Sequence, residues 1–75
     1  MIDITEVINI VSKALDVNPD LVNENTEMND LLQWDSLGHL TILAELHEHF
    51  GDRYNESEAL SVASSVKEIH KALNS

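Results

Sequence analysis

The chain of 75 residues contains no cysteine and very few basic residues. Without cysteine it has neither a disulfide framework nor a thiolate that can act as a nucleophile or a metal ligand. Lys and Arg number 4 and Asp and Glu number 14, which gives a formal net charge of −10. This charge repels nucleic acid backbones and anionic lipid surfaces and attracts basic protein patches. We therefore expect no nucleic acid partner.

Long apolar runs are also missing from the sequence. No stretch approaches the roughly 18 apolar residues of a membrane span, and Asp3 and Glu6 stand where a signal peptide needs positive charge. One domain over 1–75 has a small core, worth about 3–5 kcal/mol net, and little room for a deep cleft. We expect a monomeric, cytoplasmic protein that does not span a membrane and is not an enzyme.

Apolar residues at three- and four-residue intervals predict an all-α fold. A stripe over 3–15 predicts a first helix, in which Asp3 and Glu6 form a capping pair. Its apolar residues are Ile4, Val7, Ile8, Val11 and Leu15. A second helix over 36–50 ends at Gly51, since glycine readily adopts the left-handed conformation that ends a helix. Its apolar series is Leu37, Leu40, Leu43, Ala44, Leu46 and Phe50.

Two further helices follow in the last third of the sequence. Asn55 and Glu58 predict a short helix near 56–61, and Ser65 with Glu68 forms a capping box for a last helix over 65–73. No stretch alternates apolar and polar residues as a strand does. Three longer helices and one short helix predict a small four-helix bundle, with a connection of about twenty residues between the first two helices. For Trp34, at the end of that connection, we weigh two roles, and we favour an anchor in the core over a contact with a partner.

Two metal-site hypotheses do not fit the spacing of their ligands. Asp16, Asn18, Asp20 and Glu27 imitate a calcium-binding EF-hand loop, but Leu21 occupies the position that requires glycine. The histidines, which are His39, His47, His49 and His70, include no pair at the i, i+3 or i, i+4 spacing of a helical metal site. We therefore expect no metal site.

Asp35 and Ser36 stand where the connection turns into the second helix, in the string LLQWDSLGHLTIL. Either residue type in this position is a good helix N-cap, worth about 1 kcal/mol. No G-x-S-x-G motif or other triad element accompanies Ser36, so it has no means of activating itself as a nucleophile. A phosphodiester on Ser36 would lie at a helix N-terminus, where free N–H groups and the helix dipole favour an anion.

The string LLQWDSLGHLTILAELHEHFG resembles the prosthetic-group attachment region of acyl carrier proteins, in which Asp-Ser-Leu opens the second helix. The order of helices and the Ser64-Ser65-Val66 step before the last helix extend the resemblance over essentially the whole chain. It implies a four-helix bundle of the acyl-carrier type. It also implies that a phosphopantetheinyl transferase attaches 4'-phosphopantetheine to Ser36, and that the thiol of this arm carries acyl groups as thioesters. Asp35 and Leu37 flank the attachment site.

In this family an acidic second helix docks against basic patches on acyl-transferring or condensing enzymes. The resemblance implies a docking face made of Asp30, Asp35, Leu37, Gly38, Thr41, Glu45 and Glu48. Gly38, Thr41 and His47 occupy positions that are often acidic in fatty-acid carriers, so the acidic face is thinned. For Gly38, which is a weak helix former, close approach of a partner's backbone and simple drift are both open explanations. We hypothesise a specialised carrier with altered partner choice.

Fatty acid, lipid and polyketide biosynthesis all remain open as the pathway. A peptidyl or aminoacyl carrier shares the serine and the bundle, and the strong negative charge favours the acyl kind. An unmodified acidic helical interaction module, in which the Asp35-Ser36 pair is only a cap, is the alternative from another class. A calcium-binding regulator is the third alternative, and Leu21 argues against it.

Overall fold

Four α-helices form within residues 2–51 and 58–74, the parts of the chain that the computed structural model describes. They are α1 (Ile4–Leu15), α2 (Ser36–Phe50), α3 (Glu58–Val62) and α4 (Val66–Leu73), and a short 3₁₀ turn (Pro19–Leu21) follows α1. Backbone β pairing in these ranges is limited to isolated bridges. The predicted all-α class and small helical bundle are confirmed. The predicted opening of the third helix at 56, with Asn55, lies outside the described residues.

Capping residues set the ends of α1 and α2. The Asp3 carboxylate accepts a hydrogen bond from the Thr5 N–H at 3.1 Å, so Asp3 is the N-cap and α1 begins one residue later than predicted. At the end of α2, Gly51 has a φ of 55° and its N–H donates to the carbonyl of His47. Gly51 therefore ends the helix in the positive-φ conformation that glycine adopts without strain.

The start of α4 is a capping box shifted by one residue. The Ser65 hydroxyl accepts from the Glu68 N–H at 3.1 Å, as predicted. The Glu68 carboxylate reaches back to Ser64, whose N–H donates at 2.6 Å and whose hydroxyl donates at 2.9 Å. Both donors stabilise the ionised carboxylate, and they lower the pKa of Glu68 below its ordinary value of 4.5. The Ser64 N–H has the larger effect and the Ser64 hydroxyl the smaller one.

The core lies where α1 packs against both α2 and α4, and α3 packs on α4. Its largest fully buried side chains are Val7, Val11, Trp34, Ile42, Leu46, Leu60, Val66 and Ile69. The predicted stripe of the first helix faces this core, with Ile4 and Ile8 half-buried at its edge. Val66 and Ile69 of α4 are buried in the core, with Ala72 and Leu73 half-buried beside them. None of the helices in the described ranges combines the length and the apolarity needed to cross a membrane.

The buried face of α2 differs from the predicted one. The side chains that point inward are His39, Ile42, Leu43, Leu46 and Phe50. Leu37, Leu40 and Ala44, which the apolar series placed on the buried stripe, are exposed. At 100° per residue these three positions share the opposite side of the helix. The prediction of an inward stripe through Leu37 and Leu40 is therefore wrong, and a histidine takes part in the core instead.

The connection between α1 and α2 is tied to the rest of the bundle through its backbone. The Met28 N–H donates to the Ser64 carbonyl at 2.7 Å, and the Val66 N–H donates to the Thr26 carbonyl at 3.0 Å. These bonds join the middle of the connection to the link between α3 and α4. Trp34 at its end is fully buried, which confirms the prediction that this side chain anchors the connection in the core.

Candidate functional site

Ser36 is the first residue of α2, and it is exposed. Asp35 before it is the N-cap, with an extended backbone, and its carboxylate accepts from the Gly38 N–H at 2.9 Å. The N–H groups of Ser36 and Leu37 lie at the helix start, where the α-helical pattern provides no acceptor. The first turn of α2 contains no acidic side chain. An anion attached to Ser36 would thus meet free donors and the positive end of the helix dipole.

Exposed leucines surround Ser36 in the sequence. Leu37 is 74% exposed and Leu40 is 61% exposed, and one helical turn separates them on the same side of α2. Leu32, in the connection just before the site, is 96% exposed. Such apolar side chains contribute nothing to the core, so their surface is available to a partner protein.

The predicted docking residues divide between an exposed face and internal contacts. At 100° per residue, Leu37, Thr41 and Glu48 lie within a narrow sector of α2, and all three are exposed. Glu45 points toward α1, where its carboxylate lies 3.5 Å from the Lys13 Nζ in an ion pair of the weak surface kind. The exposed face of α2 is therefore mainly apolar or neutral, and Glu48 supplies an exposed carboxylate near the C-terminal end of the helix.

The acidic residues before α2 make local turns. The Asp30 carboxylate accepts from the Glu27 N–H at 2.9 Å, while Asp35 caps α2. Both side chains are exposed, so each remains accessible while it makes its hydrogen bond. Asp30 and Asp35 thus belong to the connection that leads into α2, whereas Glu45 pairs with Lys13 of α1.

Gly38 lies beneath the end of the connection. A Cβ atom built on Gly38 would meet the Gln33 carbonyl oxygen at 2.1 Å and the Leu15 Cδ2 atom at 3.0 Å. Only a residue without a side chain permits this approach. The chain's own backbone therefore provides a reason for glycine here, where the sequence had left partner approach and drift as explanations. It also means that an acidic side chain cannot be added at Gly38 without moving the connection.

His39 and Trp34, which stand close to Ser36 in the sequence, form a buried polar pair. The Trp34 indole N–H donates to the His39 Nδ1 at 3.3 Å, and the His39 Nε2 lies 3.0 Å from the Leu60 carbonyl oxygen. Both side chains are buried. Sequence reasoning missed His39 as a core residue, although its spacing to Ile42, Leu43 and Leu46 follows the helical period and could have identified it.

Two residues of the rejected calcium loop serve as caps. Asp16 adopts a φ of 56° at the end of α1, and the Asn18 side chain accepts from the Asp20 N–H at 2.9 Å at the start of the 3₁₀ turn. Over the described residues, no three His, Asp or Glu side chains are grouped so as to hold a metal ion.

No family model matches the chain, and neither a curated protein nor a solved structure matches it.

Proposed function

We propose that the chain is an acyl carrier protein, with a fold of the acyl-carrier type and with 4'-phosphopantetheine attached to Ser36. The observation that carries the proposal is the exposed serine at the first position of a fifteen-residue helix that Asp35 caps. The string WDSLGHL around this serine resembles the attachment site of such carriers and supports the same proposal. The helix start suits a phosphodiester, because its donors and dipole favour an anion and exposed Ser36 leaves room for a substituent.

The residues around Ser36 act as a support rather than as catalytic groups. The Asp35 carboxylate is engaged with the Gly38 N–H, so it fixes the helix start instead of activating the serine. Leu37 presents an apolar contact for a phosphopantetheinyl transferase and for acyl-transferring or condensing enzymes. When bound, the phosphopantetheine arm supplies a terminal thiol that holds an acyl group as a thioester. The chain itself contributes an anchor and a recognition surface, and it is not an enzyme.

The charge of the chain favours partners with basic docking patches. Asp30, Asp35 and Glu48 provide exposed carboxylates along the connection and α2, while Leu37 and Leu40 provide apolar contact between them. A docking face with this much apolar surface is consistent with a specialised cytoplasmic carrier. Tethering the cargo to such a carrier raises its effective concentration at each partner enzyme.

Mass spectrometry of the intact protein tests the proposal. We expect incubation with coenzyme A, magnesium and a broad-specificity phosphopantetheinyl transferase to add one phosphopantetheine mass. Ser36→Ala should abolish the addition. Ser61→Ala, which removes an exposed serine from α3, is the matched control and should leave it intact. Failure of the folded protein to gain mass, or a gain that survives Ser36→Ala, would contradict the proposal.

The exposed leucines also suit a second function. An unmodified acidic interaction module would use Leu32, Leu37 and Leu40 to bind a basic protein, and Asp35 would only cap α2. Binding of a partner by protein that has never been modified, together with no mass gain in the transferase assay, would favour this function. A peptidyl or aminoacyl carrier would gain the same mass and then accept aminoacyl rather than acyl cargo.

A further inference from the structure

The imidazole of His39 joins three parts of the fold. Its Nδ1 faces the Trp34 indole N–H at 3.3 Å, and its Nε2 faces the Leu60 carbonyl oxygen at 3.0 Å. The two rings are parallel to within 9° with centroids 6.3 Å apart, which fits an in-plane hydrogen bond through the ring edges. Since α3 packs mainly on α4, the bond to Leu60 is a direct polar link from α2 to α3.

One protonation state satisfies both contacts. The Leu60 carbonyl only accepts hydrogen bonds, so the His39 Nε2 must carry a hydrogen. The Trp34 indole N–H only donates, so Nδ1 must be free of hydrogen. The neutral Nε2–H tautomer meets both requirements. A doubly protonated imidazole would place two N–H groups opposite each other and would bury a positive charge where both neighbours are core residues.

Trp34 links His39 to the residues that lead into α2. The backbone N–H of Trp34 donates to the Leu31 carbonyl at 3.0 Å, and the Trp34 carbonyl accepts from the Asn29 N–H at 2.9 Å. These two bonds close the last turns of the connection. Asp35 and Ser36 follow Trp34 directly in the chain. Displacement of the indole would therefore shift the residues that lead into α2.

We propose that His39 is a pH-sensitive positioning residue, which in its neutral form holds Trp34 and α3 on α2 and releases both when it is protonated. The hydrogen bonds of His39 to Trp34 and Leu60 do not depend on the proposed function. The consequence of protonation, a slower modification of Ser36 at acidic pH, rests on the proposed function.

Carboxylates near His39 also change charge in acid, so the effect must be assigned to the imidazole itself. The charged and titratable groups on the surrounding elements are Glu6 and Lys13 of α1, Asp16 at its end, Asp20, Glu24, Glu27 and Asp30 of the connection, Asp35 at the cap of α2, Glu45, His47, Glu48 and His49 of α2, and Glu58 of α3. Apart from half-buried Glu45 they are exposed. Replacing His39 leaves all of them in place.

Nuclear magnetic resonance of the unmodified protein tests the hydrogen bonding. At neutral pH we expect the ¹⁵N shifts of His39 to show the Nε2–H tautomer. On acidification the His39 signals and the Trp34 indole N–H should change together, with the same midpoint. A neutral Nδ1–H tautomer, or a Trp34 signal that does not follow His39, would overturn the proposal.

Two substitutions separate the two bonds. His39→Asn keeps an acceptor near the Nδ1 position, and His39→Gln keeps a donor near the Nε2 position, while neither side chain titrates. We expect both variants to lose the acid-induced change of the Trp34 signal, and only His39→Asn to retain the hydrogen-bonded indole. His47→Gln, which replaces an exposed histidine on the same helix, should keep the pH response. A response that persists without His39 would refute the mechanism.

The rate of Ser36 modification provides the functional measurement. Relative to the wild type, His39→Gln should be modified more slowly at neutral pH, and the ratio of the two rates should approach one in acid. Taking the ratio removes the pH dependence of the transferase. A ratio that is constant with pH would refute the positioning role. If Ser36 accepts no phosphopantetheine at any pH, the proposed function fails, and the resonance experiment still decides the hydrogen bonding.

Discussion

Replacing Gly38 with alanine should destabilise the protein, although helix propensity favours the opposite. Alanine is preferred to glycine by up to about 1 kcal/mol within a helix. The new Cβ would stand 2.1 Å from the Gln33 carbonyl oxygen, and this oxygen belongs to backbone that no rotamer change can move. The connection would have to retreat by about 1 Å or more to reach van der Waals distance. Because Gln33 precedes fully buried Trp34, this movement disturbs the core.

The net effect follows from these opposing terms. Overpacking typically costs about 1–3 kcal/mol, so after the gain in propensity we expect Gly38→Ala to lower the free energy of unfolding by about 1–2 kcal/mol. For a domain of this size, this corresponds to a melting temperature lower by roughly 5–15 °C. Circular dichroism during thermal and urea unfolding measures both quantities.

A matched variant isolates helix propensity in the Gly38 experiment. Thr41→Ala also introduces alanine in α2, at an exposed position away from the connection, and should change stability by no more than about 0.5 kcal/mol. The fluorescence of Trp34 reports whether the connection has moved. If Gly38→Ala were as stable as the wild type with an unchanged Trp34 spectrum, the close approach of Gln33 would not be the reason for glycine.

Three further predictions concern Trp34, Leu37 and Glu68. Trp34→Ala should lower the free energy of unfolding by about 3–5 kcal/mol, which is as much as such a small core supplies. Leu32→Ala, at a 96% exposed position, should not unfold the protein, and chemical unfolding measures both variants. If Trp34→Ala affected Ser36 modification more than stability, a partner contact would be favoured instead. Leu37→Ala should leave the melting temperature unchanged but slow modification of Ser36, and equal rates would remove Leu37 from the docking face. Because the pKa of Glu68 is lowered from 4.5, its ionised form stabilises the fold above about pH 4.5 and this contribution disappears as the pH falls through the lowered value. The stability difference between wild type and Glu68→Gln should therefore be constant above that pH and shrink below it, whereas a difference that grows in acid would contradict the assignment.

The helix positions were predictable because their signals are local. Asp3, Asp35 and Ser65 each cap a helix through their own side chains, and Gly51 ends α2 in a positive-φ conformation. Such signals act within a few residues and are visible in any single sequence. The bounds of α2 agree with the prediction for this reason, and α1 differs by one residue because Asp3 is the cap itself.

The inward face of α2 was not predictable from apolar spacing, because its surface also carries apolar residues. Leu37 and Leu40 fit a helical stripe, but the stripe lies outside, and His39 lies inside with Leu46. A sequence pattern assumes that apolar side chains are buried, and that assumption fails where a surface binds another molecule. Under the proposed function, the residues in error belong to the recognition surface next to Ser36.

The connection shows which parts of the site depend on tertiary contacts. Gln33 approaches Gly38 through its backbone, while Trp34 reaches His39 through its side chain, so two adjacent residues hold the connection on the first turn of α2. Neither contact has a signature in residue type alone, since each depends on the path of the whole connection. The cap at Asp35 would form in an isolated helix, but the direction from which the chain enters Ser36 would not be defined there. The start of α2 at Ser36 thus depends on a local cap, while the path of the chain into it depends on the contacts of Gln33 and Trp34.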